Sequence, residues 1–176
     1  MTQGILVTYA TRTGSTAGVA EFIGKTLGEA GRPVGVWPMA DVIDLAQYDA
    51  VVAGSAIQGK QWLPEALDFM RKNQVILRRM PCAVFQVCMT LAMSNGEKYF
   101  DEVASFFNPV RVLVTPVSEG MFAGVLDISK VPKFRDRLGF RLSVLFGVWS
   151  EGDHRDWDAI RAWADSLPPL LVANKT

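Results

Sequence analysis

Short apolar runs alternate along the chain with longer stretches of helical period. Gly4-Ile5-Leu6-Val7-Thr8-Tyr9 is strand-like and almost continuous in its apolarity. After a turn, Ala17, Ala20, Ile23, Leu27 and Ala30 recur at helical spacing, and Gly31 supplies a stop. Pro33 to Trp37 predicts a second strand and Asp49 to Ser55 a third. A glycine-containing loop, Ala56 to Trp62, precedes a helix over Leu63 to Leu77. Cys82 to Cys88 predicts a fourth strand, Glu97 to Phe107 a helix, and Val110 to Val114 a fifth strand. Trp157, Ile160, Trp163, Ala164 and Leu167 form the buried stripe of a last helix. Asp153 is expected to cap it, and Pro168-Pro169 ends it.

Strands that are apolar on both faces and separated by helices predict a parallel sheet covered on both sides, a three-layer α/β sandwich. The 176 residues fit one domain. No repeat or linker divides them, and the long stretch of about 125–152 before the last helix reads as an insertion.

Eighteen basic residues balance eighteen acidic ones, which argues against a general nucleic-acid binder. The two cysteines, Cys82 and Cys88, form no Cys-x-x-Cys pair. They share a strand face, so burial against helices is expected. A single histidine, His154, excludes multi-histidine metal sites and is expected to sit exposed beside a helix start. The N-terminus lacks a secretory pattern and no apolar run approaches membrane-spanning length, so a cytoplasmic location is expected.

The most informative segment is Thr11-Arg12-Thr13-Gly14-Ser15-Thr16, between the first strand and the first helix. Unpaired N–H groups and the helix dipole favour an anion there, hydroxyls add donors, and glycine allows close approach. The segment is neither a Walker A loop nor a dinucleotide fingerprint.

This hydroxyl loop resembles the FMN-phosphate loop of flavodoxins. The form Thr11-Arg12-x-Gly14-x-Thr16 is closer to one branch, the flavodoxin-like, quinone-dependent protoporphyrinogen oxidases. That branch is also resembled by Gly54-Ser55-Ala56-Ile57 with Gly59, by Met121-Phe122-Ala123-Gly124-Val125-Leu126, and by Asp156-Trp157 at a helix start. The resemblance implies strand order 2-1-3-4-5 and FMN as cofactor. It implies three loops around the flavin. Thr11, Arg12, Thr13, Gly14, Ser15 and Thr16 would hold phosphate. Ser55, Ala56, Ile57, Gln58, Gly59 and Trp62 would flank the ring. Met89, Thr90, Leu91 and Ala92 would form its floor. Arg12 either offsets the phosphate charge or is solvated, and Trp62 either stacks on the ring or fills the core. The implied activity is oxidation of protoporphyrinogen to protoporphyrin, with electrons passing through FMN to a quinone; the alternative is an FMN electron carrier that docks on redox partners.

The segment 129–147 carries Lys130, Lys133, Arg135, Arg137 and Arg141 against one acid, Asp136, a net +4. Phe134, Leu138, Leu142 and Leu145 align on one helical face, and Phe140, Val144 and Val148 widen the apolar surface. This pattern predicts a helix that either packs its stripe on the domain or makes peripheral contact with an acidic substrate or the inner face of a membrane.

Overall fold

The computed structural model describes residues 4–130 and 134–172. Lys133 and the three N-terminal residues lie outside them. The elements in chain order begin with β1 (Gly4–Ala10), α1 (Ser15–Glu29), β2 (Val34–Pro38), β3 (Tyr48–Gln58) and β4 (Gln61–Trp62). They continue with α2 (Pro64–Lys72), α3 (Gln74–Leu77), β5 (Cys82–Val87), α4 (Phe100–Ser105) and α5 (Asn108–Leu113). The last third holds β6 (Glu119–Phe122), β7 (Val125–Leu126), α6 (Phe134–Leu145), β8 (Gly152–Asp153) and α7 (Trp157–Ser166).

Five strands form a parallel sheet in the order β2-β1-β3-β5-β6, with β4 folded back on β3 as an antiparallel hairpin. Without that hairpin strand, this is the expected order 2-1-3-4-5, in which the chain reverses direction across the sheet between β1 and β3. Alternate residues of each strand face opposite helical layers. Leu6, Val51, Val84 and Cys82 pack with Leu63, Met70, Phe107 and Val110 on one side. Ile5, Val7, Val52 and Phe85 pack with Ile23, Leu27, Ile160 and Leu167 on the other. Both cysteines are buried and free, as their shared face predicts.

The fifth strand is not where the sequence pattern puts it. Val110 to Val114 belongs to helix α5 and the residue after it. Pro109 in the first turn favours a helix there. The carbonyls left open at its far end are taken by side chains: Leu113 O accepts from Arg78 Nε at 2.7 Å and from Gln74 Nε2 at 3.0 Å. The strand that completes the sheet is the four-residue β6, in which only Gly120 and Phe122 are buried. So short and half-polar a run does not stand out as a buried strand.

The final cap also differs. Asp156, not Asp153, caps α7, accepting from Ala159 N at 2.9 Å. Asp153 is drawn into β8 by its pairing with Val125 and holds Arg155 through three hydrogen bonds, two from the guanidinium at 2.6 and 2.8 Å and one from the backbone N–H at 3.0 Å.

Within the insertion, α6 is shorter than the segment 129–147, and none of its residues is fully buried. Phe134, Leu138, Leu142 and Leu145 are all exposed, so the packed-stripe alternative fails.

Candidate functional site

The first loop is built by backbone geometry. Gly14 stands at the N-cap of α1 with φ 91°, a left-handed conformation that favours glycine. Its N–H donates to Thr11 Oγ1 at 3.1 Å, which closes the loop into a tight turn. No side chain caps α1 and its first turn holds no acid, so the positive end of the helix dipole is left open. Behind it, Thr16 Oγ1 is buried without a hydrogen-bond partner.

Arg12 is exposed but not free. Its Nη2 donates to Glu65 Oε2 at 3.0 Å and its Nη1 to Glu65 Oε1, a forked pair with the first turn of α2. The hydrogen bond from Arg12 holds the Glu65 carboxyl below its ordinary range, and the same bond raises the guanidinium.

The second loop extends from the end of β3. Ser55 is buried and ties the loop down: its Oγ accepts from Leu63 N at 3.0 Å and donates to Ala56 O at 2.8 Å. Ala56, Ile57, Gln58 and Gly59 lead into a turn that Lys60 completes at φ 63°. Trp62 closes the hairpin from inside the core. It is 1% exposed, and its Nε1 donates to Gln86 Oε1 at 3.0 Å; Gln86 Nε2 in turn donates to Val103 O at 2.6 Å. Of the two uses foreseen for Trp62, the structure shows the core.

The third loop, Met89–Ala92, is one 3₁₀ turn after β5, and all four residues are half-buried.

The three loops meet at a cavity of about 510 Å³ outside the carboxyl ends of the strands. Arg12, Thr13 and Ser15 line it from the first loop, Ala56, Ile57, Gln58 and Gly59 from the second, and Met89 from the third. Thr11, Gly14, Thr16, Ser55, Trp62, Thr90, Leu91 and Ala92 are not among its lining residues. Thr11 lines a second cavity, also about 510 Å³, together with Glu65, Phe69 and Lys72. The Arg12–Glu65 pair stands between the two cavities.

Several lining residues were not singled out as site residues by the sequence. Gly124 packs so closely that a Cβ there would lie 2.9 Å from Val87 Cγ1, 3.2 Å from Ser15 Oγ and 3.5 Å from Met89 Sδ. The Phe122-Ala123-Gly124 segment carried that signal. The insertion adds Asp136, Gly139, Phe140 and Trp149. At 100° per residue, Asp136, Gly139 and Phe140 share one face of α6, and Phe134, Leu138, Leu142 and Leu145 share the opposite one. The apolar stripe therefore points away from the cavity. Phe140 and Trp149 pack on each other with ring centroids 5.2 Å apart. Period and composition carry no signal that would place Trp149 here.

His154 is half-buried rather than exposed; its Nε2 lies 2.7 Å from Ser150 O, and it does not line the cavity. Among the described residues no cluster could hold a metal ion, and no helix is long and apolar enough to cross a membrane.

The flavodoxin domain model matches residues 6–144. No curated protein matches in sequence. Solved structures match in fold. Oxidised flavodoxin 2 from Bacillus cereus is 24% identical, covering 81% of this chain and 98% of its own, with a TM-score of 0.53. The flavodoxin of Streptococcus pneumoniae TIGR4 is 16% identical, covering 94% and 97%, with a TM-score of 0.59. A flavoprotein in complex with FMN from Lactobacillus acidophilus is 13% identical, covering 68% and 93%, with a TM-score of 0.52. With its sheet order, the open helix end after β1 and a domain match over most of its length, this chain belongs to the flavodoxin domain family.

Proposed function

We propose that this chain binds FMN in the cavity at the switch point and passes electrons through it as a flavodoxin-type carrier. The observation that carries the reading is the first loop. An open helix N-terminus, a left-handed Gly14 and a buried Thr16 hydroxyl without a partner form an anion cradle. An unpaired buried hydroxyl and a helix N-terminus without a side-chain cap fit a phosphate. Thr13 and Ser15 bring hydroxyls of that loop to the cavity lining, Thr11 closes the loop by accepting from Gly14 N–H, and Ala56 to Gly59 with Met89 and Gly124 supply walls for a flat ring. Bound FMN supplies reversible one- and two-electron chemistry. The residues of the chain hold it and exclude water from one face. The FMN-bound flavoprotein among the structural neighbours supports the choice of cofactor.

The second reading is an oxidoreductase with its own substrate, of the protoporphyrinogen type, delivering electrons to a quinone. One observation favours it: α6 and Trp149 cover the cavity. A carrier that meets only protein partners has no need of such a roof. The outward stripe of α6 further supports peripheral contact with a membrane surface, where a quinone resides.

The test compares flavin content of the wild type with Thr11, Thr13 and Thr16 all changed to Ala. The variant should fold and lose FMN; a folded variant that keeps its full flavin refutes the reading. Anaerobic mixing of the loaded protein with protoporphyrinogen then separates the two functions. Bleaching of the flavin followed by reduction of a quinone identifies the oxidase, and an unchanged spectrum identifies the carrier.

A further inference from the structure

Trp149 lines the cavity, and its indole N–H is buried with no hydrogen-bond acceptor. The indole is a donor only, so it can be satisfied by nothing but an acceptor. Buried donors are paired in nearly all folded proteins, so one left open inside a cavity calls for an acceptor there, a water or a ligand. The ring beside it is apolar and flat: Phe140 stands at 5.2 Å between centroids and 39° between planes. Indole and phenyl together make a wall for a conjugated ring.

Charge narrows the choice of acceptor. The carboxylates lining the cavity, Asp127 and Asp136, come from the insertion side, as Phe140 and Trp149 do. The cavity's cation, Arg12, comes from the hydroxyl loop. The open end of α1 favours an anionic group at the loop, whereas at the insertion Asp127 is paired with Lys130 and Asp136 is the lining carboxylate that opposes one. The acceptor that meets Trp149 is a neutral one, such as a ring carbonyl.

We infer that Trp149 is a specificity-determining residue of the insertion, whose indole N–H donates to a carbonyl on the edge of the flavin ring while Phe140 walls the same side. This rests on the reading of the cavity as an FMN site. It assigns ring recognition to the insertion, a segment far in sequence from the phosphate loop, so that phosphate and ring are read by separate parts of the chain.

The experiment titrates the flavin-free full chain, wild type and Trp149→Phe, with FMN and with lumiflavin, which has the ring and no phosphate. Flavin fluorescence gives the dissociation constants, and urea unfolding without flavin gives stability. Phe keeps a flat ring, removes the donor and gives up part of the indole's area. Both ligands should weaken by the same factor, about five- to tenfold, the loss of one neutral hydrogen bond. The unliganded variant should lose little stability, because removal of the unpaired buried donor offsets the packing that the smaller ring gives up. Unchanged affinities overturn the inference, as does weakening confined to FMN. A large loss of stability in the flavin-free variant also overturns it, since Trp149 would then act mainly through packing. A wild type that binds neither ligand overturns the flavin reading itself, and this inference with it.

Discussion

The hairpin that carries the second loop is held from below by one buried amide. Gln86 sits on β5 with no exposed surface, accepting from the Trp62 indole at 3.0 Å and donating to Val103 O at 2.6 Å. Gln86→Leu removes both bonds. Val103 O keeps the N–H of Phe106 at 3.1 Å, so its loss is partial. Trp62, at 1% exposure, has no water to turn to, and an indole N–H left unpaired there costs about 1–3 kcal/mol. For a domain near this size, that corresponds to a fall in Tm of roughly 3–10 °C. Urea unfolding followed by circular dichroism measures it. The control is Trp62→Phe added to Gln86→Leu. With donor and acceptor both gone, the double variant should recover part of the loss, although the smaller ring leaves some space. A single variant within 0.5 kcal/mol of wild type, or a double variant no better than the sum of its parts, refutes the account of Gln86 as the support of Trp62.

The Arg12–Glu65 pair predicts a division between stability and ligand binding. Its side chains are 43% and 45% exposed, so the pair contributes only about 0.2–1 kcal/mol. Because Arg12 depresses the Glu65 carboxyl, that contribution is present above the ordinary value of 4.5 and is lost as pH falls through the lower folded value; Glu65→Gln should flatten the acid limb of a stability–pH curve. The same variant releases the Arg12 charge beside the hydroxyl loop, so FMN should bind more tightly while riboflavin is unchanged, and equal shifts for both ligands would count against a phosphate role for Arg12. The outward stripe of α6 predicts salt-sensitive sedimentation with anionic vesicles, each nearby basic residue adding about 1 kcal/mol. Replacing Leu138, Leu142 and Leu145 by Ser should abolish it, and equal binding to neutral vesicles, or none to anionic ones, removes the membrane contact.

The sheet interior was legible because β1, β3 and β5 are shielded on both faces, and their residues carry almost no polar interruption. β6 was not, since an edge strand of four residues needs only two buried positions. The valine-rich run at 110–114 looked like a strand because β-branched residues favour strands on average. Pro109 and the capping of Leu113 O by Arg78 and Gln74 are what make most of it a helix, and the capping partners come from a distant part of the chain. Local pattern cannot see a cap supplied from 35 residues away.

The site divides along the same line. Its first loop was legible because backbone chemistry does the work: a glycine able to take positive φ, hydroxyls in a turn, and a helix starting directly after a strand are all local. Its roof was not. The sequence of α6 announces a hydrophobic stripe, and a stripe ordinarily marks the side that a helix turns toward its own domain. Here that stripe faces outward, and the side turned to the cavity carries Asp136, Gly139 and Phe140, a set with no apolar signature. Little buried area therefore holds α6 in place, since none of its residues is fully buried. Two contacts would add to what holds it over the cavity: a ring seated against Phe140 and Trp149 from below, and a surface that takes up Phe134, Leu138, Leu142 and Leu145 from above. The two faces are opposite, so both can be occupied at once, and each would favour the position of the helix that the other requires.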